Sequence, residues 1–407
     1  MRVSRTFESV AASKEMARRT LPRSVYLAVL GGQDAGVTMD WNENTFRAIG
    51  VRPRVVDYPA IPDQSVDVLG QHLSTPVILS PAGAHGVHPG GESAVAKAAA
   101  ARGTLFGLSS FASTGIGHVA RGNSATFSQV YWIGSRDDIA WRVERAREAG
   151  AVALALTTDW CFSEGRDWGS PKVPRTRNFA ATVKFAPEVI RRPRWLARHV
   201  AASALPDFIV PNLATPTVPV PTLADAWTSW RATPPPTWDD VEWLAELWGG
   251  PFMLKGVMRP DDARRAVDAG ATAISVSNHG GFNLDTTIAS ALALPEIAAA
   301  VGESIEVLVD GGIRRGSDVV KALALGARAV LLGRPYLWGL AVNGQAGVEN
   351  TLDILITGTA STMRGLGYRS LEDITVDDLV LPAEFADTAQ RRSGSRRGSS
   401  VLQIAES

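Results

Sequence analysis

The chain has 407 residues, 45% hydrophobic and 20% charged, with 41 basic and 41 acidic side chains and zero formal net charge. Such a balance exerts no electrostatic pull on nucleic acid, and no such partner is expected. The lone cysteine, Cys161, excludes an internal disulfide and fits a reducing compartment; the N-terminus lacks an apolar signal core and no apolar run reaches membrane length, so a cytoplasmic protein without stable membrane insertion is expected.

Residues 1–75 read as an N-terminal extension packed on the main domain, with an amphipathic helix over 8–20 and then LPRSVYLAVLGG. From Pro76 a rhythm begins. PVILSP is a strand and ESAVAKAAAARG a helix; TLFGLSS is a strand and GIGHVARG a short helix; ATFSQVYW is a strand and RDDIAWRVERAREAG a helix. AVALALTTD, ending at Asp159, is the fourth strand. The rhythm then stops over 160–237, a stretch rich in proline and tryptophan. A loop this long is a lid, a binding loop or disorder, and tryptophans argue against disorder; it reads as a partly ordered cap. Within it RRPRWLARH reads as a solvated or subunit-facing helix turn. Thr237, with Asp240 three residues on, is a good helix start, and DDVEWLAELWGG comes next. PFMLKG, ATAISVS, SIEVLVD and RAVLLG supply strands five to eight, each succeeded by a helix, the last being VENTLDILITGTASTMRGLG. Eight strand–helix units in order predict an α/β fold, a (β/α)8 TIM barrel over 76–387 with the 160–237 insertion after strand four. The polar tail, 388–407, is expected to be disordered.

The strand ends carry the chemistry. Barrels often bind phosphate with the loops after strands seven and eight. Here these are Asp310-Gly311-Gly312-Ile313-Arg314-Arg315 and Gly333-Arg334. Glycines admit backbone N–H groups to an anion, and arginine adds bidentate hydrogen bonds. The alternative is two ordinary turns with surface arginines; two such loops at the right strands favour a phosphorylated cofactor or substrate. Lys255 ends an apolar strand, where an ammonium stabilises developing negative charge. His279 comes after strand six in SNHGG and is placed to act as a general base. Asp159 is placed to hold its tautomer. The six histidines are scattered and no metal site is expected.

LPRSVY, GLSSFAS, QVYW, LTTD, LKGV, SNHGG-x-x-LD, DGGIRRGSDVVKALALGA and GRPYLWGLA resemble, in order and spacing, the FMN-dependent 2-hydroxy acid oxidase and dehydrogenase family. The resemblance runs from about residue 15 to 375 outside the insertion. It implies FMN as cofactor. Its phosphate would take Gly312, Arg314, Gly333 and Arg334. Its ring system would meet Pro81, Ala82, Gly83, Ser109, Gln129, Thr157, Lys255 and Ser277. His279 would be the base with Asp159 behind it, and Tyr131 would face a small-molecule substrate. It also suggests a homo-oligomer and, as electron acceptor, oxygen.

Two positions depart from the family. Phe282 stands where the family carries a carboxylate-binding arginine, and Ala28 where it carries a tyrosine. Burying a carboxylate against phenylalanine would cost on the order of several kcal/mol. A simple 2-hydroxy acid is therefore not the expected substrate, although Arg166 in SEGRDWGSP is placed to rescue an anion. Through TTDWCFSEGRDWGSPKVP, RPRWLARH, TPPPTWDDVEWL and SNHGGFNLD, cap included, the chain is similar to a subgroup acting in biosynthesis of the peptide-derived redox cofactor mycofactocin. That likeness implies oxidative deamination of a peptide-derived lactam amine, a neutral aminopyrrolidinone bearing a hydroxybenzyl group. Trp160, Trp168 and Phe282 would then pack on the hydroxybenzyl ring. A conventional hydroxy acid oxidase is the alternative.

Overall fold

The computed structural model describes residues 6–56, 58–159, 165–170, 179–203 and 208–385, without the side chains of 179–182. The expectations for Trp160, Cys161 and the 388–407 tail lie outside the described residues. Eight parallel strands close into a barrel in chain order: β1 (Val77–Leu79), β2 (Phe106–Leu108), β3 (Thr126–Tyr131), β4 (Leu154–Thr157), β5 (Phe252–Val257), β6 (Ala273–Val276), β7 (Glu306–Asp310) and β8 (Ala329–Leu332), with β8 pairing back to β1. The fold is the (β/α)8 barrel expected from the strand–helix count.

The period of two along each strand explains what fills the barrel. Ile78, Phe127, Ala153, Ala155, Met253, Ala273, Leu308, Ala329 and Leu331 form one buried interior cluster. Their neighbours Leu79, Phe106, Leu154, Leu156, Leu254, Ile274, Val309 and Val330 belong to the larger core beneath the helices. The hairpin of 66–68 and 71–73 adds Val66, Val68, Leu69 and Leu73 to the interior cluster. Leu69 N–H donates to Glu306 Oε2, at the start of β7, over 2.9 Å. One end of the barrel is therefore plugged with apolar side chains. Continuing the same alternation upward puts Gln129, Thr157, Lys255, Ser277 and Asp310 on the interior register at the C-terminal end. These are polar, and they converge because the pleat leaves them no other face.

Before the barrel run α1 (Val10–Thr20), α2 (Arg23–Leu30) and α3 (Val37–Ala48). The barrel helices up to the insertion are α4 (Gly91–Ala101), the five-residue α5 (Ile116–Ala120) and α6 (Arg136–Glu148). The insertion contains α7 (Phe179–Ile190), α8 (Pro193–Ala201) and α9 (Leu223–Ala232). Glu188 of α7 accepts from Ser24 N–H at 2.8 Å and from its hydroxyl at 3.2 Å, at the start of α2. The basic RRPRWLARH segment is not merely a solvated turn. In α8, Trp195 and His199 are buried, and they donate to the carbonyls of Val87 (3.0 Å) and Gly86 (3.0 Å). Its arginines mask an amphipathic helix whose indole and imidazole anchor it on the loop after β1. Next come α10 (Trp238–Trp248), opened by the Thr237–Asp240 capping box, then α11 (Pro260–Asp268), α12 (Ser290–Val301), α13 (Gly316–Ala324) and α14 (Arg334–Leu366). The last helix begins well before VENTLD: 334–366 is helical with a break at Asn343 and Gly344. No helix among the described residues is long and apolar enough to cross a membrane.

Candidate active site

The centre of the C-terminal face is a closed polar triangle. Lys255 Nζ lies 2.7 Å from Asp310 Oδ2 and donates to Ser277 Oγ at 2.7 Å; Ser277 Oγ donates to Asp310 Oδ1 at 2.8 Å. Three adjacent strands, β5, β6 and β7, supply one corner each. Burial opposes the Lys255 ammonium, but Asp310 and Asp159 outweigh it, so its pKa lies above the ordinary lysine value. The cation at this strand end is thus permanent at neutral pH.

Ser277 also accepts from His279 N–H at 3.1 Å, tying the histidine loop to the triangle. His279 adopts φ +55°, the sparsely populated left-handed region. Its Nδ1 lies 3.0 Å from Asp159 Oδ1. Burial works against an ionised Asp159, yet His279 and Lys255 together hold its carboxyl below the usual aspartate range. With Asp159 ionised, Nδ1 carries the proton and Nε2 is the basic atom of the ring. A glycine makes this pair sterically possible. The β5–β6 register shifts between Lys255 and Val257, where Gly256 takes φ +109°. A Cβ at Gly256 would meet Asp159 Cβ at 2.6 Å and its backbone nitrogen at 2.9 Å.

A cavity of about 1410 Å³ opens above the triangle. That exceeds an ordinary ligand pocket and leaves room for a cofactor and a substrate together. Ala28, Pro81, Ala82, Gly83, Ser109, Tyr131, Arg166, Lys255, His279, Phe282, Asp310, Gly311, Gly312, Arg314, Gly333 and Arg334 all line it. Gln129, Thr157, Ser277 and Asp159 do not; they stand behind the lining. Gln129 Oε1 accepts from Ser110 N–H at 3.1 Å, while its buried Nε2 has no partner.

The two glycine–arginine loops face the cavity as a pair. Arg334 donates to Gly280 O at 2.6 Å and to Leu30 O at 3.1 Å, joining the histidine loop to the end of α2. Burial, with Arg314 beside it, lowers the Arg334 pKa to about 10. Arg314 Nη2 sits 3.0 Å from Glu43 Oε1 without the alignment of a hydrogen bond and is left as a buried orphan donor. A Cβ at Gly333 would meet nothing. Two arginines lining the cavity beside the open face of Gly333 fit a phosphorylated cofactor.

Another wall of the cavity is mainly aromatic. The Phe282 ring lies 6.0 Å from the His279 ring, and the Arg166 guanidinium lies 5.3 Å from the Phe282 centroid. Arg166 donates to Leu27 O at 3.2 Å, and burial alone lowers its pKa. Tyr131 packs edge-on against Phe111 at 5.4 Å, and burial pushes its phenol well above the ordinary value. Trp168 is not among the residues lining the cavity. Its indole packs where Gly32 and Gly36 leave space beside Met39, because the 165–167 stretch bonds to Asp34 and pulls the ring outward. Trp227 of α9 lines the cavity, 6.3 Å from Phe111. Sequence reading missed Trp227, Phe111, Glu188 and the buried Glu92, which accepts from Ser113 and Thr114. Only the WTSW pattern of α9 hinted at the first. Among the described residues no cluster of three or more His, Cys, Asp or Glu is placed to hold a metal.

The chain has known relatives. Residues 17–381 match the family model for FMN-dependent dehydrogenases. The pre-mycofactocin synthase of Mycobacterium tuberculosis is 57% identical over 93% of this chain and 96% of its own length. An L-lactate oxidase of Nostoc sp. is 38% identical over 90% and 96%. The crystal structure of (S)-mandelate dehydrogenase, a monotopic membrane protein, matches with TM-score 0.83 and 29% identity, covering 92% of this chain and all of that one. The chain belongs to the FMN-dependent dehydrogenase family and is an FMN-dependent oxidoreductase.

Proposed function

We propose that the protein oxidatively deaminates a peptide-derived aminopyrrolidinone, carrying a hydroxybenzyl and a gem-dimethyl group, to its α-keto lactam in mycofactocin biosynthesis. One observation carries the reading. Lys255 and His279 line the cavity, yet Phe282 and Ala28 line it at the positions where the resemblance to the hydroxy acid family would place an arginine and a tyrosine. A neutral lactam needs neither. The 57% identical relative bears the corresponding name.

Arg166, with no carboxylate acting on its pKa, offers N–H donors to the lactam carbonyl. Phe282, Phe111 and Trp227 supply aromatic surface for the hydroxybenzyl group. His279 takes a proton from the substrate ammonium through Nε2, and Asp159 stabilises the resulting imidazolium. FMN, held by Arg314 and Arg334 at its phosphate, would supply the hydride acceptor for the amine-bearing carbon. Lys255 holds a fixed positive charge at the cofactor-binding face. The substrate is left as an imine, which water hydrolyses to the keto lactam and ammonia. Molecular oxygen is the proposed final acceptor, by likeness to the oxidase relative.

Arg166 favours a second reading, a 2-hydroxy acid oxidase anchored by that cation. An anaerobic absorbance titration separates the two. Bleaching of bound flavin by the aminopyrrolidinone alone, with keto lactam formed, supports deamination. Bleaching by lactate, glycolate or mandelate alone overturns it.

A further inference from the structure

The N-terminal extension carries charges to the phosphate end of the barrel. Glu43 Oε1, on α3, accepts from Arg314 Nε at 3.2 Å, and its Oε2 accepts from Arg47 at 3.0 Å. Arg314 Nη1 donates to Ile313 O at 2.7 Å. The guanidinium rests 5.3 Å from the centroid of the buried Trp338 indole, and Lys14 Nζ of α1 lies 5.4 Å from the same ring. Glu43 is ionised: burial opposes its charge, but Arg314, Lys14 and Arg334 hold its carboxyl below the ordinary glutamate range.

A carboxylate beside a phosphate-binding loop repels the ligand, so its presence needs a compensating role. The hydrogen bonds supply one. Glu43 Oε1 accepts from Nε and lies 3.0 Å from Nη2, Ile313 O accepts from Nη1, and the Trp338 ring lies against the guanidinium, so the side chain is held on three sides where it lines the cavity. An arginine so held loses little side-chain freedom on binding an anion. Lys14 supplies the charge that offsets Glu43.

We propose that Glu43 is a positioning residue for the FMN phosphate, orienting Arg314 through Nε, and that Lys14 balances the negative charge Glu43 brings. The extension would thereby complete the cofactor site. The inference rests on FMN binding and not on the identity of the organic substrate.

The test uses flavin-free protein titrated with FMN and with riboflavin, monitored by flavin fluorescence. Glu43→Ala should raise the FMN Kd by about tenfold or more and leave riboflavin, which lacks the phosphate, unchanged. Glu43→Gln keeps a carbonyl acceptor for Arg314 and should bind FMN within about threefold of the parent. Lys14→Met should weaken FMN alone, and adding Glu43→Gln should recover most of that loss. Equal losses of FMN and riboflavin in Glu43→Ala, or an unchanged FMN Kd, overturn the proposal. So does a Lys14→Met defect that Glu43→Gln fails to relieve, which decides the matter even where Glu43→Ala does not fold.

Discussion

Two sides of one barrel mouth are built on different principles. On the strand-end side, Lys255, Ser277, Asp310, Asp159 and His279 are joined by hydrogen bonds of 2.7–3.1 Å, and each is held by at least one other. On the aromatic side, Phe111 meets Tyr131 and Trp227 at ring separations of 5.4 and 6.3 Å, and Phe282 carries the Arg166 guanidinium over its ring. In the first arrangement, removing Lys255 or Asp310 leaves the other as a buried charge without its ion-pair partner. The second is non-directional packing, whose members can be exchanged at smaller cost. The first group is tied together at and just beyond the ends of β4 to β7, and the second is drawn from β3, the loops after β2 and β6, and the inserted α9.

The contrast predicts a hierarchy of effects. His279→Ala should slow flavin reduction about 10²- to 10⁴-fold in anaerobic stopped flow, leaving the bound-flavin spectrum intact; near-normal reduction would remove it from the role of base. Lys255→Met leaves Asp310 buried without its cation and should cost about 3–5 kcal/mol in denaturant unfolding. Because the Lys255 pKa is raised in the folded state, its contribution is fully present below the ordinary lysine pKa and is lost as pH rises through the folded value. The Met variant should therefore flatten the alkaline limb of the stability profile, and an unaltered limb would show that the ion pair contributes nothing.

Phe282→Arg tests the aromatic side. It restores a carboxylate ligand and should bring flavin bleaching by mandelate or lactate, while kcat/KM for the amine falls about tenfold. Absence of any hydroxy acid reaction would mean that selectivity lies elsewhere in the cavity. The smallest effect is expected at Gly31, φ +65°, where a Cβ would come 2.9 Å from Phe282 Cδ2. Gly31→Ala should cost about 1 kcal/mol in unfolding and raise KM severalfold without lowering kcat. A change confined to kcat would show that the Phe282 ring bears on the reacting centre and not on substrate fit.

The barrel was legible because its signals are local. Short apolar strands alternate with helices, and a period of two decides which side chains enter the barrel. The same period, with glycine-rich loops at defined strand ends, marked Lys255, His279, Asp159, Arg314 and Arg334 in the sequence itself. What tertiary structure alone decided are partners far apart along the chain. Glu43 meets Arg314 across 271 positions, Glu188 caps the start of α2 across 164, and Trp195 reaches Val87 across 108. Trp168 turned away from the cavity because a bridge to Asp34 carries its loop toward Gly32 and Gly36. Gln129, Thr157 and Ser277 stand behind the lining although they share the interior register, because depth along the barrel axis depends on how strands stagger. Periodicity and turn chemistry act within a few residues and can be read in one dimension; stagger, loop trajectory and the pairing of distant charges are set by packing the whole chain at once.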